Sequence, residues 1–176
     1  MYGKLDPGVV GHRYPEFIQS MIKALGCETF LELGVAHGGL ALSIYPLVKR
    51  YVGVDIRDSR TVEKVGEFYL TSTDEFFKFF HDEMQIILID ACHDFEVVKR
   101  DLNNSLNILA KNGVIFIHDT DPWEPKFFQD WLCSDAYKIV KYIQTERTDL
   151  NIITLPMDES GISIVNRKSD RRVLGF

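Results

Sequence analysis

Apolar residues along the chain follow two spacings, and each spacing predicts a different element. Residues 29–33, 51–55 and 85–90 form short, mostly apolar runs without a clean alternation of apolar and polar positions. Such runs are typical of strands in a parallel sheet that is covered on both faces. Between them, apolar residues recur at helical spacing in residues 17–25 and 40–48. The pattern predicts alternating strands and helices.

Weaker patterns extend the same alternation. Residues 67–70 predict a third strand and residues 114–118 a fifth. The helix between strands four and five is predicted to begin at Asp94 and to end at the Asn112-Gly113 pair. Parallel strands joined by crossover helices form a right-handed, doubly wound sheet. The sequence therefore predicts the α/β class with a Rossmann-like, mostly parallel sheet.

The last third of the chain has a different pattern. Residues 123–131 and 134–143 predict helical segments, and residues 150–155 and 161–166 alternate as the strands of an antiparallel hairpin do. The hairpin brings the predicted sheet to seven strands. We expect a single domain with four parts: a leader (residues 1–13), a cofactor-binding core (14–120), a helical segment on the substrate side (121–149) and the terminal hairpin (150–167).

The composition narrows the class of partner. The 176 residues include 20 Lys and Arg against 26 Asp and Glu, a formal net charge of −6, which disfavours nucleic acid as a partner. No run of 18 apolar residues is present, so a membrane partner is not expected. The three cysteines are odd in number and lack CxxC spacing, which favours a reducing, cytoplasmic setting over a disulfide framework.

Polar side chains collect where the predicted strands end. In an open parallel sheet the ligand lies beyond the carboxyl ends of the strands, at the point where the strand order reverses. The residues with functional chemistry at these ends are Glu32, Gly34, Asp55, Ser72, Thr73, Asp90, His93, His118 and Asp119. Acidic and imidazole groups are thus expected to converge on one edge of the sheet.

The segment LELGVAHGGLALS carries the cofactor prediction. Gly34, Gly38 and Gly39 lie between a strand and a helix, where glycine lets a ligand approach the backbone, although a tight turn without a ligand uses the same residues. Asp55 ends the next strand and suits a ribose diol. NAD and S-adenosylmethionine both remain open for such a loop. Glu32 favours S-adenosylmethionine, because a carboxylate there suits an ammonium or sulfonium group better than a pyrophosphate.

The chain resembles the class I S-adenosylmethionine-dependent methyltransferases in three blocks of sequence: LELGVAHGG, YVGVDI and IILIDACHDFEVVKRDLNNSLNILAKNGVIFIHDT. More narrowly, it is similar to the small-molecule O-methyltransferase branch that includes the macrolide-sugar and cephalosporin-hydroxylase-like proteins. The fourth strand of that branch commonly reads IDGDHSYE and the fifth ends in HD. The resemblance covers residues 14–120 and the hairpin at 150–167, and the block from strand four to strand five is its most specific part.

The resemblance implies a set of cofactor residues. The glycine-containing loop would line the methionine moiety, the acid that ends strand two would hold the ribose, and the hydroxyl residues after strand three would lie by the adenine. The full set expected at the cofactor is Glu32, Gly34, Ala36, His37, Gly38, Asp55, Ile56, Ser72, Thr73, Asp90 and Ala91.

The resemblance also implies catalytic and metal-binding residues. In the metal-dependent members, acids that end strands four and five bind magnesium, and these positions hold Asp90 and Asp119 here. A Mg²⁺ ion would bind a substrate hydroxyl and lower its pKa. His93 would take the hydroxyl proton, although a histidine at a helix start also serves structural roles. His118 occupies the other strand-five position.

We expect a methyltransferase that acts on a hydroxyl of a small molecule such as a sugar or a phenol, and the same residues are compatible with N-methylation. Ala91-Cys92 stands where the family often has Gly-Asp. Because this carboxylate is missing, a first alternative is a non-catalytic protein that binds S-adenosylmethionine or a nucleotide. A second alternative is an NAD-dependent oxidoreductase, which the lack of a clean pyrophosphate turn disfavours. Trp123, Phe127 and Phe128 would wall the acceptor pocket or belong to the core, and a second copy of the chain would complete an open pocket.

Overall fold

The strands form one twisted sheet in the computed structural model, which describes residues 13–129 and 132–170. The order across the sheet is β3-β2-β1-β4-β5-β7-β6. Strands β1 to β5 are parallel, and β7 runs antiparallel to both β5 and β6. The bounds are β1 Thr29–Leu33, β2 Arg50–Asp55, β3 Glu67–Leu70, β4 Met84–Ile89, β5 Leu109–His118, β6 Leu150–Leu155 and β7 Ile162–Arg167. The predicted Rossmann-like α/β sheet of seven strands is confirmed.

Helices cover both faces of the sheet. Their bounds are α1 Tyr14–Leu25, α2 Gly39–Ile44, α3 Thr73–Phe79, α4 Phe95–Ile108 and α5 Lys138–Glu146. The predicted start of α4 is correct, because the Asp94 side chain accepts hydrogen bonds from two backbone amides of the first turn. Helix α1 has a proline in its first turn and ends at Gly26 in the left-handed conformation.

The core lies in two layers, one on each side of the sheet. Leu31, Leu33 and their neighbours on adjacent strands pack on one face against α3, α4 and α5. Phe30 and its neighbours pack on the other face against α1 and α2. Both faces of the central strands are therefore buried, which explains why these strands lack an alternation of apolar and polar residues.

The strand order reverses between β1 and β4, whose ends are held in close register. The amide of Asp90 donates to the carbonyl of Leu33 at 2.8 Å, and the amide of Gly34 donates to the carbonyl of Val54 at 2.8 Å. Gly34 has φ +93, and a Cβ there would collide with the backbone carbonyl of Asp90. This position needs glycine because two strand ends meet there without room for a side chain.

The boundary between α4 and β5 differs from the prediction. The helix ends at Ile108 and β5 begins at once, whereas the Asn112-Gly113 pair was expected to end the helix. The pair lies inside β5 at a register shift, since Met84 pairs with Leu109 but Ile86 pairs with Val114. Asn112 has φ 62, as expected for an irregular position. The guanidinium of Arg167 donates to the carbonyl of Leu109 at 3.0 Å and also to that of Leu106, which satisfies the end of the helix.

The segment after β5 is less helical than predicted. Of the described residues 123–129, only Pro125–Phe128 forms a short 3-10 turn, and Asp130 and Trp131 lie outside the described residues. The helix predicted over 134–143 begins only at Lys138, after a run of turns that includes Ser134 at φ 44. Prolines and a left-handed residue interrupt the helical spacing here. The predicted leader, residues 1–13, lies outside the described residues except for Arg13.

Among the described residues, no helix is both long enough and apolar enough to span a membrane.

Candidate active site

A first cleft opens at the carboxyl ends of β1 to β4, where the strand order reverses. It encloses about 530 Å³ of empty space, part of it open to solvent, which is in the size range of small-ligand sites. Its wall contains Gly34, Val54, Asp55, Ile56, Thr71, Ser72, Thr73, Asp74, Ala91, Cys92, Val97 and Arg100. Six of the residues predicted at the cofactor are thus brought together: Gly34, Asp55, Ile56, Ser72, Thr73 and Ala91.

The carboxylate of Asp55 ties the glycine-containing loop to the end of β2. Its Oδ2 accepts hydrogen bonds from the amides of Val35 at 3.0 Å and Ala36 at 2.9 Å. Its Oδ1 accepts one from the amide of Arg57 at 2.9 Å. Ala36 has φ 46, a conformation that costs free energy in a non-glycine residue. The loop is therefore held in a specific shape by a residue that also lines the cleft.

Glu32 lies beneath the loop and is not part of the wall of the cleft. Its side chain is buried, with the residue 3% exposed, and it accepts a hydrogen bond from the hydroxyl of Tyr51. Burial raises the pKa of Glu32 to about 8, although the bond from Tyr51 works in the opposite direction. Glu32 was expected at the mouth of the loop, and the structure instead buries it against Tyr51.

His37 and Gly38 also lie outside the wall of the first cleft. His37 is exposed, and its Nδ1 lies 3.4 Å from the carbonyl of Ser59. Gly38 has φ 81 and faces the side chains of Val62 and Arg60. Ser59, Arg60 and Val62 therefore lie against the glycine-containing loop.

A second cleft adjoins the first, and its wall contains Asp90, the neighbour of Ala91. It encloses about 700 Å³ of empty space, part of it open to solvent. The wall contains Tyr14, Asp90, His93, His118, Asp119, Phe127, Leu132, Cys133, Glu159 and Ser160. All three residues predicted to be catalytic, His93, Asp90 and Asp119, are brought together in this cleft.

Two imidazoles and two carboxylates meet in the second cleft. Nε2 of His93 lies 3.1 Å from Oδ2 of Asp119 and 3.6 Å from Oδ1 of Asp90. Nδ1 of His118 lies 3.3 Å from Oδ1 of Asp90 and 3.2 Å from Oδ1 of Asp119. The other nitrogen of each ring faces a polar group: the Leu132 carbonyl for His93, and the Ser160 hydroxyl at 3.5 Å for His118. We call these four side chains the His-Asp cluster.

Opposite charges inside the His-Asp cluster shift every pKa. Burial disfavours a charged imidazole, but Asp90 and Asp119 outweigh it and raise the pKa of His93 to about 9 and that of His118 well above its usual value. Burial likewise opposes ionised carboxyls, and His118 outweighs it to hold the pKa of both aspartates below their usual value. Without a bound cation, the cluster therefore pairs imidazolium with carboxylate at neutral pH.

The ligand atoms of Asp90, His93 and Asp119 all lie within 4.8 Å of one another, close enough to hold one metal ion. Asp119 has φ 61, and its amide donates to the carbonyl of Gly161 at 3.1 Å. The thiol of buried Cys133 donates to Oδ1 of Asp119 at 3.4 Å. A strained backbone at the end of β5 thus aims this carboxylate into the cluster.

Parts of the second cleft had no signal in the sequence pattern. The ring of Tyr14 packs on His118 with centroids 4.4 Å apart, and Glu159 and Ser160 come from the turn between β6 and β7. The carboxylate of Asp158 in this turn accepts hydrogen bonds from the amides of Arg13 and Tyr14 at 2.9 and 3.0 Å, so it caps α1. These contacts join distant parts of the chain and follow no local spacing.

The aromatic residues predicted to wall the acceptor pocket divide into two groups. Phe127 lines the second cleft. Trp123 is 69% exposed and Phe128 is also exposed, and neither belongs to the wall or to the core. Pro125–Phe128 is only a short turn, so it cannot present three aromatic rings on one face.

Several solved structures share the fold of this chain. Cofactor-bound Rv0187 from MTB superposes with a TM-score of 0.76 and 12% identity, over 94% of this chain and 84% of that one. The O-methyltransferase from Bacillus cereus in complex with SAH gives a TM-score of 0.65 and 15% identity, over 96% and 84% of the two chains. TomG from Streptomyces achromogenes, an O-methyltransferase in complex with SAM, gives a TM-score of 0.66 and 12% identity, over 88% of this chain and 79% of that one.

Sequence comparison supplies the family. No curated protein sequence matches the chain significantly. The family model described as a methyltransferase domain matches residues 31–120, a stretch that runs from β1 to the end of β5 and carries the wall of the first cleft and the His-Asp cluster of the second. This stretch is half of the chain, and it ends just after the His-Asp cluster. The chain therefore belongs to the methyltransferase-domain family, as its sequence motifs predicted.

Proposed function

We propose that this protein transfers the methyl group of S-adenosylmethionine to a hydroxyl of a small molecule. The observation that carries the proposal is the adjacency of the two clefts, since Asp90 lines one and Ala91 the other. A cofactor in the first cleft would present its reactive end to the His-Asp cluster. The similar folds of proteins whose structures contain SAM or SAH support this choice of cofactor.

The side chains that line the first cleft fit the chemical groups of the proposed cofactor. Asp55 would hold the ribose, Ser72 and Thr73 would lie by the adenine, and Ile56 would offer an apolar contact. The methionine end would contact Gly34 directly. Ala36, His37 and Gly38 would act there through the loop that Asp55 fixes. Glu32 would support that loop from its buried position on β1. The bound cofactor supplies a methyl group that is already activated by its sulfonium, so the protein mainly orients the reactants.

His93 is proposed to accept the proton of the acceptor hydroxyl at Nε2 once a cation is bound by Asp90 and Asp119, because the charge of the cation would oppose the imidazolium and lower the pKa of His93. Its Nδ1 faces the Leu132 carbonyl and so carries a hydrogen when the ring is neutral, which leaves Nε2 free for a proton. Oδ2 of Asp119, 3.1 Å from Nε2, would then stabilise the imidazolium.

Asp90 and Asp119 are proposed to hold a divalent cation, for which Mg²⁺ is the ion that the resemblance implies. The residues fit a cation because a buried and a half-buried carboxylate, together with an imidazole, offer ligand atoms within 4.8 Å of one another. When bound, such an ion would lower the pKa of the acceptor hydroxyl. Cys92, which replaces a family carboxylate, lines the cofactor cleft and not the second cleft, so its exchange does not remove a member of the His-Asp cluster.

The proposal is tested by calorimetry followed by an acceptor screen. S-adenosylmethionine should bind saturably with chelator present, and NAD should not. Methyl transfer from labelled cofactor to a panel of catechols, phenols and sugars, with and without divalent cations, then tests the reaction. Failure to bind S-adenosylmethionine would refute the proposal. Binding without transfer to any hydroxyl, or transfer only to amines, would favour the non-catalytic binder or an N-methyltransferase instead.

A further inference from the structure

We propose that His118 is the third ligand of the cation, so that the site selects a transition metal such as Mn²⁺, Co²⁺ or Zn²⁺ over Mg²⁺. This inference rests on the proposed function for the role of the metal, while the binding chemistry follows from the geometry of the cluster. It replaces an all-oxygen site by one with two carboxylates and one imidazole.

The first argument is the position of the inner nitrogen of His118. Nδ1 lies 3.3 Å from Oδ1 of Asp90 and 3.2 Å from Oδ1 of Asp119. It is thus nearly equidistant from one oxygen of each aspartate, and the three atoms present a triangle of donors. Without a cation, Nδ1 carries a hydrogen that faces both carboxylates. A cation that displaces this proton would meet the lone pair of Nδ1 at the same point.

The second argument is that the two oxygens of Asp119 face different rings. Oδ1 faces Nδ1 of His118, and Oδ2 faces Nε2 of His93 at 3.1 Å. A cation held by Oδ1, together with Asp90 and His118, would leave Oδ2 to orient His93. The two histidines can therefore have different roles, with His118 as the metal ligand and His93 as the base.

The third argument is the support behind His118. Its Nε2 lies 3.5 Å from the hydroxyl of Ser160, and the ring of Tyr14 packs on it at 4.4 Å. Metal-ligating histidines usually have their second nitrogen hydrogen-bonded, which fixes the tautomer and the orientation of the ring. Here that partner comes from the turn between β6 and β7, and it orients the ring so that Nδ1 faces the two aspartates.

The donor set decides the class of metal. Mg²⁺ takes oxygen ligands in a near-octahedral shell and keeps several waters. Imidazole suits zinc, iron, nickel and copper, and affinity of such sites rises from Mn²⁺ to Zn²⁺. An acid at position 118 would have completed an all-oxygen site. Histidine at that position, with its ring already directed inward, favours the transition metals.

The test measures metal binding directly, without cofactor or acceptor. Mg²⁺, Mn²⁺ and Zn²⁺ chlorides are titrated into wild-type protein, His118→Asp, His118→Ala and the exposed control His81→Asn. We expect the ratio of Zn²⁺ to Mg²⁺ affinity to fall at least about tenfold in His118→Asp. Ser160→Ala should weaken Mn²⁺ binding about tenfold through loss of ring support. His81→Asn should match the wild type.

Pulsed electron paramagnetic resonance of bound Mn²⁺ identifies the ligand. Nitrogen coupling from a coordinated imidazole should appear in the wild type, persist in His93→Asn and disappear in His118→Asp. Loss of the coupling in His93→Asn instead would overturn the assignment to His118. Absence of nitrogen coupling, an unchanged metal preference in His118→Asp, or no binding of any cation would overturn the proposal as a whole. Binding of S-adenosylmethionine is measured separately, with chelator present. Failure of the cofactor to bind would therefore refute the methyltransferase proposal and would leave the assignment of the metal ligand untouched.

Discussion

Asp55 accepts a hydrogen bond from the backbone amide of Ala36 at 2.9 Å, although the two residues belong to different strand–loop units. The same carboxylate oxygen also accepts from Val35. In a methyltransferase fold the acid at the end of β2 is expected to face the ribose, and here it also shapes the loop that would surround the methionine end. One side chain thus links the two halves of the proposed cofactor site.

Asp55→Ala should therefore weaken binding of S-adenosylmethionine and destabilise the free protein. Two amides of the loop lose their acceptor, and hydrogen bonds to charged groups contribute about 1.5–3 kcal/mol each. Asp55→Asn keeps one oxygen and should have a smaller effect on both quantities. Calorimetry and thermal unfolding measure them, with exposed Glu83→Gln as control. A variant that lost cofactor affinity but kept full stability would show that Asp55 does not hold the loop.

Gly34→Ala should abolish cofactor binding and reduce stability, because the added Cβ would collide with the carbonyl of Asp90 at φ +93. The matched control is Gly39→Ala. A Cβ at Gly39 meets nothing within 4 Å, and alanine favours the helix that begins there. Circular dichroism and cofactor titration of both variants test the pair. Equal behaviour of the two would contradict the close approach of β1 and β4.

His93→Ala should lower the rate of methyl transfer by roughly 10²–10⁴-fold, the usual contribution of a general base. Affinity for S-adenosylmethionine should stay at the wild-type value, because His93 lies in the second cleft and not in the first. Single-turnover kinetics with saturating cofactor measure the chemical step. A rate equal to that of the wild type would show that another group accepts the proton.

Glu32 makes the stability of the fold depend on pH. Burial raises its pKa from 4.5 to about 8 in the folded chain, so between these values the folded state holds a proton that the unfolded state has lost. The free energy of unfolding should then fall as pH rises through this window, at up to about 1.4 kcal/mol per pH unit. Glu32→Gln should lack this contribution. Denaturant unfolding at pH 5 and pH 8 gives the difference between wild type and variant.

A smaller fall in Glu32→Gln than in the wild type is the expected result, since other groups titrate equally in both. Exposed Glu28→Gln serves as the control and should follow the wild type. Identical pH dependence in all three proteins would mean that Glu32 remains ionised beside Tyr51 in the folded chain.

Local patterns predicted the parallel half of the molecule well, for a physical reason. Strands such as Thr29–Leu33 are buried on both faces, so their sequence is apolar whatever lies around them, and the polar residues at their ends must lie at one edge of the sheet. The convergence of Asp90, His93 and Asp119 follows from this rule. It needs no knowledge of distant contacts.

Contacts between distant segments account for what the sequence did not predict. Where α4 ends, Arg167, far along the chain, binds the carbonyls of Leu106 and Leu109. The place of Glu32 beneath the loop depends on Tyr51 from the neighbouring strand. Tyr14 and Ser160 reach His118 from opposite parts of the sequence. Periodicity within a window of a dozen residues does not contain this information.

The cap that Asp158 provides for α1 bears on the order of folding. It joins residues 145 positions apart, and contacts of such long sequence separation close large loops at a high entropic cost. The parallel strands close shorter loops, of which the longest joins Phe30 to Ile86. We expect the cofactor half to acquire its structure first and the acceptor cleft to mature last, when the hairpin docks on the first helix. Amides of the first turn of α1 would then exchange with solvent together with those of the hairpin.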